Sequence, residues 1–206
     1  MKEHIERTLD ERTVHPDPIV QFQQWYDEAI VVHPIHPDAM VLATSTSDGK
    51  PSVRTVLLKN ADTRGFVFFT NYHSRKGKEL AHNPNVELCF YWHSLERQVR
   101  IEGIVEKVSA GESDEYFRTR PRESQLGAHV SPQSDVVASR EELERKMTAL
   151  EKQFAGKEIP RPQHWGGYRV TPSRIEFWQG RQARLHDRIL YSRTSDGSWK
   201  IQRLAP

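Results

Sequence analysis

The stretch "MVLATSTSDGKPSVRTVLLKN", residues 40–60, decides the fold. Apolar and polar residues alternate on both sides of Asp48-Gly49, a pair that suits a tight hairpin turn, so the run predicts two antiparallel strands. Beyond "ADTRG" the apolar run "GFVFFTN", residues 65–71, continues the meander. Ser74 then caps a short helix over "RKGKELAHN", which Asn83-Pro84 ends, and "VELCFYWH" and "RQVRIEGIVEKVS" resume the strands. Upstream, Asp17-Pro18 reads as an N-cap with Pro in the first turn of a helix carrying Ile19, Phe22, Tyr26, Ala29 and Ile30 on one face.

Downstream, Ser109 with Glu112 and Ser139 with Glu142 form two capping boxes. The first precedes "DEYFRTR"; the second precedes a helix with Leu143, Met147, Leu150 and Phe154 on one face, and a loop-like segment separates them. "WGGYRV", "SRIEFWQG", "HDRILYSR" and "SWKIQRL" read as four more strands. Many short strands without strand-helix-strand alternation predict a mainly β protein with helical excursions, α+β in class and a small barrel in architecture. The expected organisation is a flexible tail over residues 1–17 and one domain over 18–206, with a helical subdomain around 110–156.

Lys and Arg number 30 against 28 Asp and Glu, a net charge of +2, which is too even for a protein that coats nucleic acid. The lone cysteine, Cys89, precludes an intrachain disulfide and fits a buried thiol in a reducing cytoplasm. No apolar run is long enough to span a bilayer. Five tryptophans and eight phenylalanines in a chain of low hydropathy hint at aromatic surface covered by a second subunit or a flat cofactor.

Charge is concentrated in four places. On an extended strand Arg54 and Lys59 leave on opposite sides, as solvent-exposed cations or as ligands for an anion. Ser74, Arg75 and Lys76 open a helix, where free N–H groups favour a phosphate, although no P-loop or dinucleotide glycine pattern accompanies them. Tyr116 and Arg120 lie four apart, with Ser124 four further beyond Pro121, a trio that suits a second phosphate or a plain basic helix end. In "RQARLHDR", residues 181–188, an extended backbone would put Arg184, His186 and Arg188 on one side, near Trp178 as a stacking surface. No G-x-S-x-G elbow, H-E-x-x-H spacing or catalytic carboxylate pair accompanies them, so hydrolysis and metal chemistry fall away. The other histidines, His33 among them, have no partners at metal spacing.

Taken in order, "RTVLLK", "FFTNYHSRKGKEL", "YWHSLERQVRIEG", "YFRTRPRESQLGAHVSPQS", "HWGGYRV", "EFWQGRQARLHDR" and the terminal "RLAP" closely resemble the pyridoxine/pyridoxamine 5'-phosphate oxidase family over residues 18–206. The resemblance implies a homodimer of FMN-binding split β-barrels, with each flavin between subunits. It implies oxidation of pyridoxamine or pyridoxine 5'-phosphate to pyridoxal 5'-phosphate, with O2 reoxidising the flavin to give H2O2. It assigns the FMN to Arg54, Thr55, Val56, Leu57, Leu58 and Lys59, to Phe69, Thr70, Arg75 and Lys76, and to Gln98, Gln133, Ser134, Trp178 and Arg188. It assigns the substrate phosphate to Lys59, Tyr116, Arg120 and Ser124, and the pyridine ring to Arg184 and His186. No side chain need act as a nucleophile, because the cofactor carries the chemistry.

Two positions depart from the family pattern. Arg7 and Arg12 stand apart and no tyrosine accompanies them, where many members carry adjacent arginines and a tyrosine ahead of the first helix. Phe69 stands where a tyrosine is common, keeping the ring and losing a hydroxyl. The alternatives are a related split-barrel flavin oxidase of the phenazine type, acting on a ring without phosphate, and a non-catalytic flavin-binding module.

Overall fold

The computed structural model describes residues 8–32 and 35–206; the remaining residues, with Arg7 and His33, lie outside the description. The chain opens with α1 (Pro18–Val32), followed by β1 (Ala39–Ser45), β2 (Pro51–Leu57), β3 (Asn60–Asp62) and β4 (Gly65–Asn71). Then come α2 (Arg75–His82), β5 (Asn85–Trp92) and β6 (Arg97–Lys107). Three helices follow, α3 (Ala110–Thr119), α4 (Arg122–Val130) and α5 (Arg140–Gln153), before β7 (Trp165–Gln179), β8 (Asp187–Arg193) and β9 (Trp199–Arg203). All strand pairs are antiparallel, in the order β2-β1-β5-β6-β7-β4-β3, with β8 on β7 and β9 on β8. This curled sheet is the half-barrel of a split-barrel fold.

The hairpin at Asp48-Gly49 pairs Ala39 with Leu57 through Ser45 with Pro51, and Gly49 takes the left-handed backbone (φ 83°) that the turn requires. Alternation then sends Met40, Leu42, Leu88 and Phe90 inward, where α1 closes the core with Phe22 and Trp25. Phe22 is wholly buried, edge-on to Phe66 at 5.0 Å and tilted against Phe90 at 5.1 Å. The Asp17 carboxylate accepts from the Ile19 N–H at 2.8 Å to start α1, while Ser74, Ser109 and Ser139 cap α2, α3 and α5.

Three local expectations are corrected. "WGGYRV" and "SRIEFWQG" are not two strands but the single fifteen-residue β7. A bulge bends it, since Gly103 pairs with Pro172 and Glu102 with Arg174, which leaves Ser173 unpaired where Pro172 has no N–H to offer. The loop-like segment after Pro121 is α4, and the Gln125 side chain ties it to α3 by donating to the carbonyls of Phe117 (3.2 Å) and Arg120 (3.0 Å). Residues 8–17, expected within a flexible tail, are packed down. Leu9 is 6% exposed, Arg203 pairs with Glu11 at 2.7 Å, and the buried Tyr191 hydroxyl donates to the His15 carbonyl at 2.7 Å.

Phe22→Ala empties a site that α1 and the sheet cannot close over. It is expected to cost about 3–5 kcal/mol, read as a fall in denaturant midpoint with an unchanged m-value.

Candidate active site

A cavity of about 620 Å³ opens where the barrel meets the helical segment. β2 contributes Thr55, Val56 and Leu57, Lys59 follows, and β4 contributes Phe69 and Thr70. Lys76 comes from α2, Tyr116 and Arg120 from the end of α3, Ser124 from α4, Gln133 from the next turn and Trp165 from the start of β7. Eleven of the expected residues therefore meet in one place: Thr55, Val56, Leu57, Lys59, Phe69, Thr70, Lys76, Tyr116, Arg120, Ser124 and Gln133.

The cations around this cavity are held in two different ways. Arg54 and Arg75 share one carboxylate, that of Glu79, at 3.3 and 2.9 Å, and neither lines the cavity. Glu79 is buried, which opposes ionisation, yet the hydroxyls of Ser52 and Thr44 and the two guanidinium groups hold its pKa down to about 2. Lys59 pairs with Asp38 at 2.8 Å. By contrast, Lys76 touches only neutral oxygens, those of Thr70 (3.0 Å), Gln133 (2.9 Å) and Ser74 (3.4 Å). Burial, with the Arg54 charge adding to it, lowers the Lys76 pKa to about 8.

Arg120 is the second cation without a carboxylate. Its guanidinium lies 4.5 Å from the centroid of the Trp165 ring and 5.6 Å from that of Phe117, and its buried Nη1 has no hydrogen-bond partner. Burial lowers its pKa from the ordinary arginine value. Beside it Phe69 stacks on Tyr116 at 4.0 Å and on Trp165 at 5.4 Å, forming a parallel aromatic wall. An anion placed here would accept from the Arg120 Nη1 and offset its charge.

The remaining expected residues do not line the cavity: Arg54, Leu58, Arg75, Gln98, Ser134, Trp178, Arg184, His186 and Arg188. Leu58 is in the core, and Ser134, at φ 77°, sits in the turn beside Gln133. Gln98, Trp178 and Arg188 are cross-strand neighbours on β6, β7 and β8, on the face opposite the buried Val99, Phe177 and Ile189. Arg188 forks onto Glu176 at 2.8 and 3.0 Å. The extended reading of "RQARLHDR" fails, because residues 182–184 make a 3₁₀ turn in which Ala183 and Arg184 take φ 53° and 60°. His186 therefore precedes β8 as a separate arm, its ring 4.7 Å from Trp178 and its Nδ1 accepting the Arg181 N–H at 3.0 Å.

Sequence reasoning missed Glu79, Asp38 and Trp165. The Arg75 to Glu79 spacing was a visible helical signal, whereas the tertiary pairings of Asp38 and Trp165 left none in the sequence.

A half-barrel with two uncompensated cations and an aromatic wall in its cavity defines a split-barrel protein suited to a phosphorylated, ring-bearing ligand. The family models agree: residues 27–154 match "Pyridoxamine 5'-phosphate oxidase" and residues 165–206 match "Pyridoxine 5'-phosphate oxidase C-terminal dimerisation region". The chain belongs to the pyridoxamine 5'-phosphate oxidase family. Pyridoxine/pyridoxamine 5'-phosphate oxidases of Nostoc sp. and Rubrobacter xylanophilus are each 57% identical over 205 residues, spanning 100% of this chain and 96% and 94% of theirs. Among solved structures, PhzG from Burkholderia lata in complex with tetrahydrophenazine-1-carboxylic acid is 32% identical, covers 98% of both chains and superposes with a TM-score of 0.92. A pyridoxamine 5'-phosphate oxidase-related, FMN binding protein from Nostoc punctiforme, 16% identical over 90% of this chain and 97% of its own, shares the fold with a TM-score of 0.72.

If Lys76 binds an anion, its lowered pKa makes that binding pH-dependent. A phosphate monoester is already dianionic above about pH 7, so loss of affinity as pH rises through about 8 reports the lysine. Affinity should fall by up to about tenfold per pH unit there, and Lys76→Met should bind weakly at every pH with no such slope. The stability linkage has the opposite sign. An unfolded lysine keeps its proton to about pH 10.4, so the cost of burying this charge in the ligand-free fold is full below about pH 8 and is progressively relieved between that value and about 10.4, and stability rises with pH there.

Proposed function

We propose that the protein is an FMN-dependent oxidase that converts pyridoxamine 5'-phosphate and pyridoxine 5'-phosphate to pyridoxal 5'-phosphate in the cytoplasm, passing the electrons to O2 as H2O2. The carrying observation is the pair of cations without carboxylates, Lys76 and Arg120, in one cavity: two positive positions for two phosphates, one of the cofactor and one of the substrate. Both groups gain from an anion in a desolvated site, so the residues present fit the cofactor and the substrate.

In this reading Lys76, with Thr70, Ser74 and Gln133 around it, holds the FMN phosphate, and Arg54 and Arg75, fixed by Glu79, frame the α2 N-terminus. Thr55 to Leu57 and Phe69 lie along the flavin. Arg120, with Tyr116 and Ser124, grips the substrate phosphate, and Lys59, paired with Asp38, contributes polarity at the rim more than free charge. When held by these residues, FMN would supply the two-electron oxidation, as acceptor for a hydride from the substrate C4' carbon. The protein's part is to align the two rings and exclude water, which lowers the entropic share of the barrier.

Gln98, Trp178, Arg184, His186 and Arg188 complete the site from a second copy. Trp165 and Trp178 sit on the same strand, separated by roughly 40 Å of extended backbone, so one chain does not bring both to one cavity. The outer face that bears Gln98 and Trp178 also exposes Val41, Val53 and Tyr91, which suits a homodimer. The similarity to PhzG keeps a second reading open, oxidation of a ring without phosphate. A carboxylate on such a ring could also accept from the Arg120 Nη1, so what favours the phosphorylated substrate is the 57% identity to pyridoxine/pyridoxamine 5'-phosphate oxidases against 32% to PhzG.

The deciding experiment is anaerobic mixing of the FMN-loaded protein with pyridoxamine 5'-phosphate. Bleaching of the flavin, reversed by air with pyridoxal 5'-phosphate formed, is expected; a flavin that stays yellow moves the assignment to the phenazine-type reading or to a non-catalytic carrier. Arg184→Ala should lower kcat/KM at least about tenfold with FMN retained. Because Arg184 and Arg120 come from different subunits, mixed dimers of Arg184→Ala and Arg120→Ala chains should recover turnover that neither variant shows alone.

A further inference from the structure

We propose that Trp165 is a positioning residue that sets the preference for a phosphorylated substrate, by holding Arg120 through its ring face instead of through a carboxylate. The inference rests on the assignment of Arg120 to the substrate phosphate and adds the residue that makes that arginine available.

A guanidinium can be fixed in two ways. A carboxylate takes its N–H edge and cancels its charge, whereas an aromatic ring takes its flat face and leaves edge and charge free. Both devices occur around this cavity. Arg54 and Arg75 are held by Glu79 and turn away from the cavity lining, while Arg120 is held by rings and faces it. The free edge is visible as the buried Nη1 with no partner. Leaving that N–H unsatisfied costs stability unless a ligand accepts from it, so the arrangement makes sense for a site that expects an acceptor.

Trp165 is itself immobilised. It is 6% exposed, edge-on to Phe117 at 5.2 Å, and nearly parallel to Tyr116 at 6.2 Å and Phe69 at 5.4 Å. Its carbonyl accepts from Arg161 Nη1 at 2.6 Å, and Arg161 is in turn paired with Asp114 at 2.6 Å. Backbone and ring are thus fixed from separate directions, and the ring face becomes a shelf at a defined height for Arg120. The indole N–H is the one hydrogen-bond donor of the ring, so Trp165→Phe, which keeps a ring face and removes that N–H, separates a direct contact with the phosphate from an effect passed through the arginine.

The test is equilibrium binding of pyridoxal 5'-phosphate and of pyridoxal to the FMN-loaded protein, in wild type, Trp165→Leu, Trp165→Phe, Arg120→Ala and the Leu/Ala double variant. Trp165→Leu is expected to weaken the phosphorylated ligand about tenfold, leave pyridoxal and FMN content unchanged, and be largely restored by Trp165→Phe, which keeps a ring face. In the Arg120→Ala background the same Trp165 change should have almost no further effect, because the two residues act as one unit. Undiminished binding of pyridoxal 5'-phosphate by Trp165→Leu would overturn the proposal, as would an equal loss for both ligands or a full additional loss beside Arg120→Ala. If Trp165→Leu does not fold, Trp165→Met, which fills more of the space and has no ring face, carries the same cycle. Wild-type protein that binds both ligands equally would overturn the substrate assignment together with this inference; the other failures leave that assignment standing.

Discussion

β7 is the constraint on which the rest of the molecule depends, because one strand has to serve two branches of the same sheet. Its first half, from Trp165 to Val170, lies between β4 and β6 and closes the half-barrel, while its second half, from Arg174 to Gln179, lies between β6 and β8. The unpaired Ser173 bends the strand between those tasks. Gly166 and Gly167 make the first half possible: a Cβ at Gly166 would meet the Tyr72 hydroxyl at 2.1 Å, and one at Gly167 would meet Val108 at 2.6 Å and the Phe69 ring at 2.8 Å. Gly166 therefore leaves room for Tyr72, and Gly167 for Phe69 and with it the aromatic wall of the cavity.

Electrostatics around the cavity follows from how each cation is satisfied. Fixing a charge and keeping it free are conflicting demands in a desolvated place, since the strongest fixative is an opposite charge. Lys76 meets the conflict with neutral oxygens from Thr70, Ser74 and Gln133, and Arg120 meets it with rings. Each solution leaves a trace: a lysine pKa brought down to about 8 in one case, an unpartnered N–H in the other. Glu79 supplies the complementary service, offsetting part of the charge of Arg54 and Arg75 and so reducing the repulsion among four cations, although Arg54 still depresses the Lys76 pKa.

What the sequence made legible follows the range of the interactions involved. The hairpin at Asp48-Gly49, the serine caps and the inward alternation of β1 and β5 are local, and they appear where periodicity places them. The meeting of "RTVLLK", Lys76 and the Tyr116, Arg120 and Ser124 trio is long-range, and the family motifs pointed to it where spacing could not. α4 was hidden because a proline before a helix reads equally well as a break, and β7 because Pro172 and Ser173 mimic a turn. The bend at Ala183 and Arg184 was illegible for a different reason: neither residue type favours positive φ, so only tertiary context imposes it.

That last bend bears on how the site works. A non-glycine residue with φ near 60° is a cost that the surrounding structure must offset, and here two successive residues bear it. The flanking anchors are strong: Arg181 and Arg203 both reach Asp187, and the His186 ring is held between the Arg181 N–H and the face of Trp178. Within one chain these contacts keep Arg184 off the sheet without giving it a role in the cavity that Arg120 lines. Backbone strain of this kind recurs at ligand clamps and functional sites, which for Arg184 would be a site outside its own chain. In the proposed dimer that is the partner's cavity, so the strained arm of one subunit and the ring-held arginine of the other would be two halves of one preorganised site.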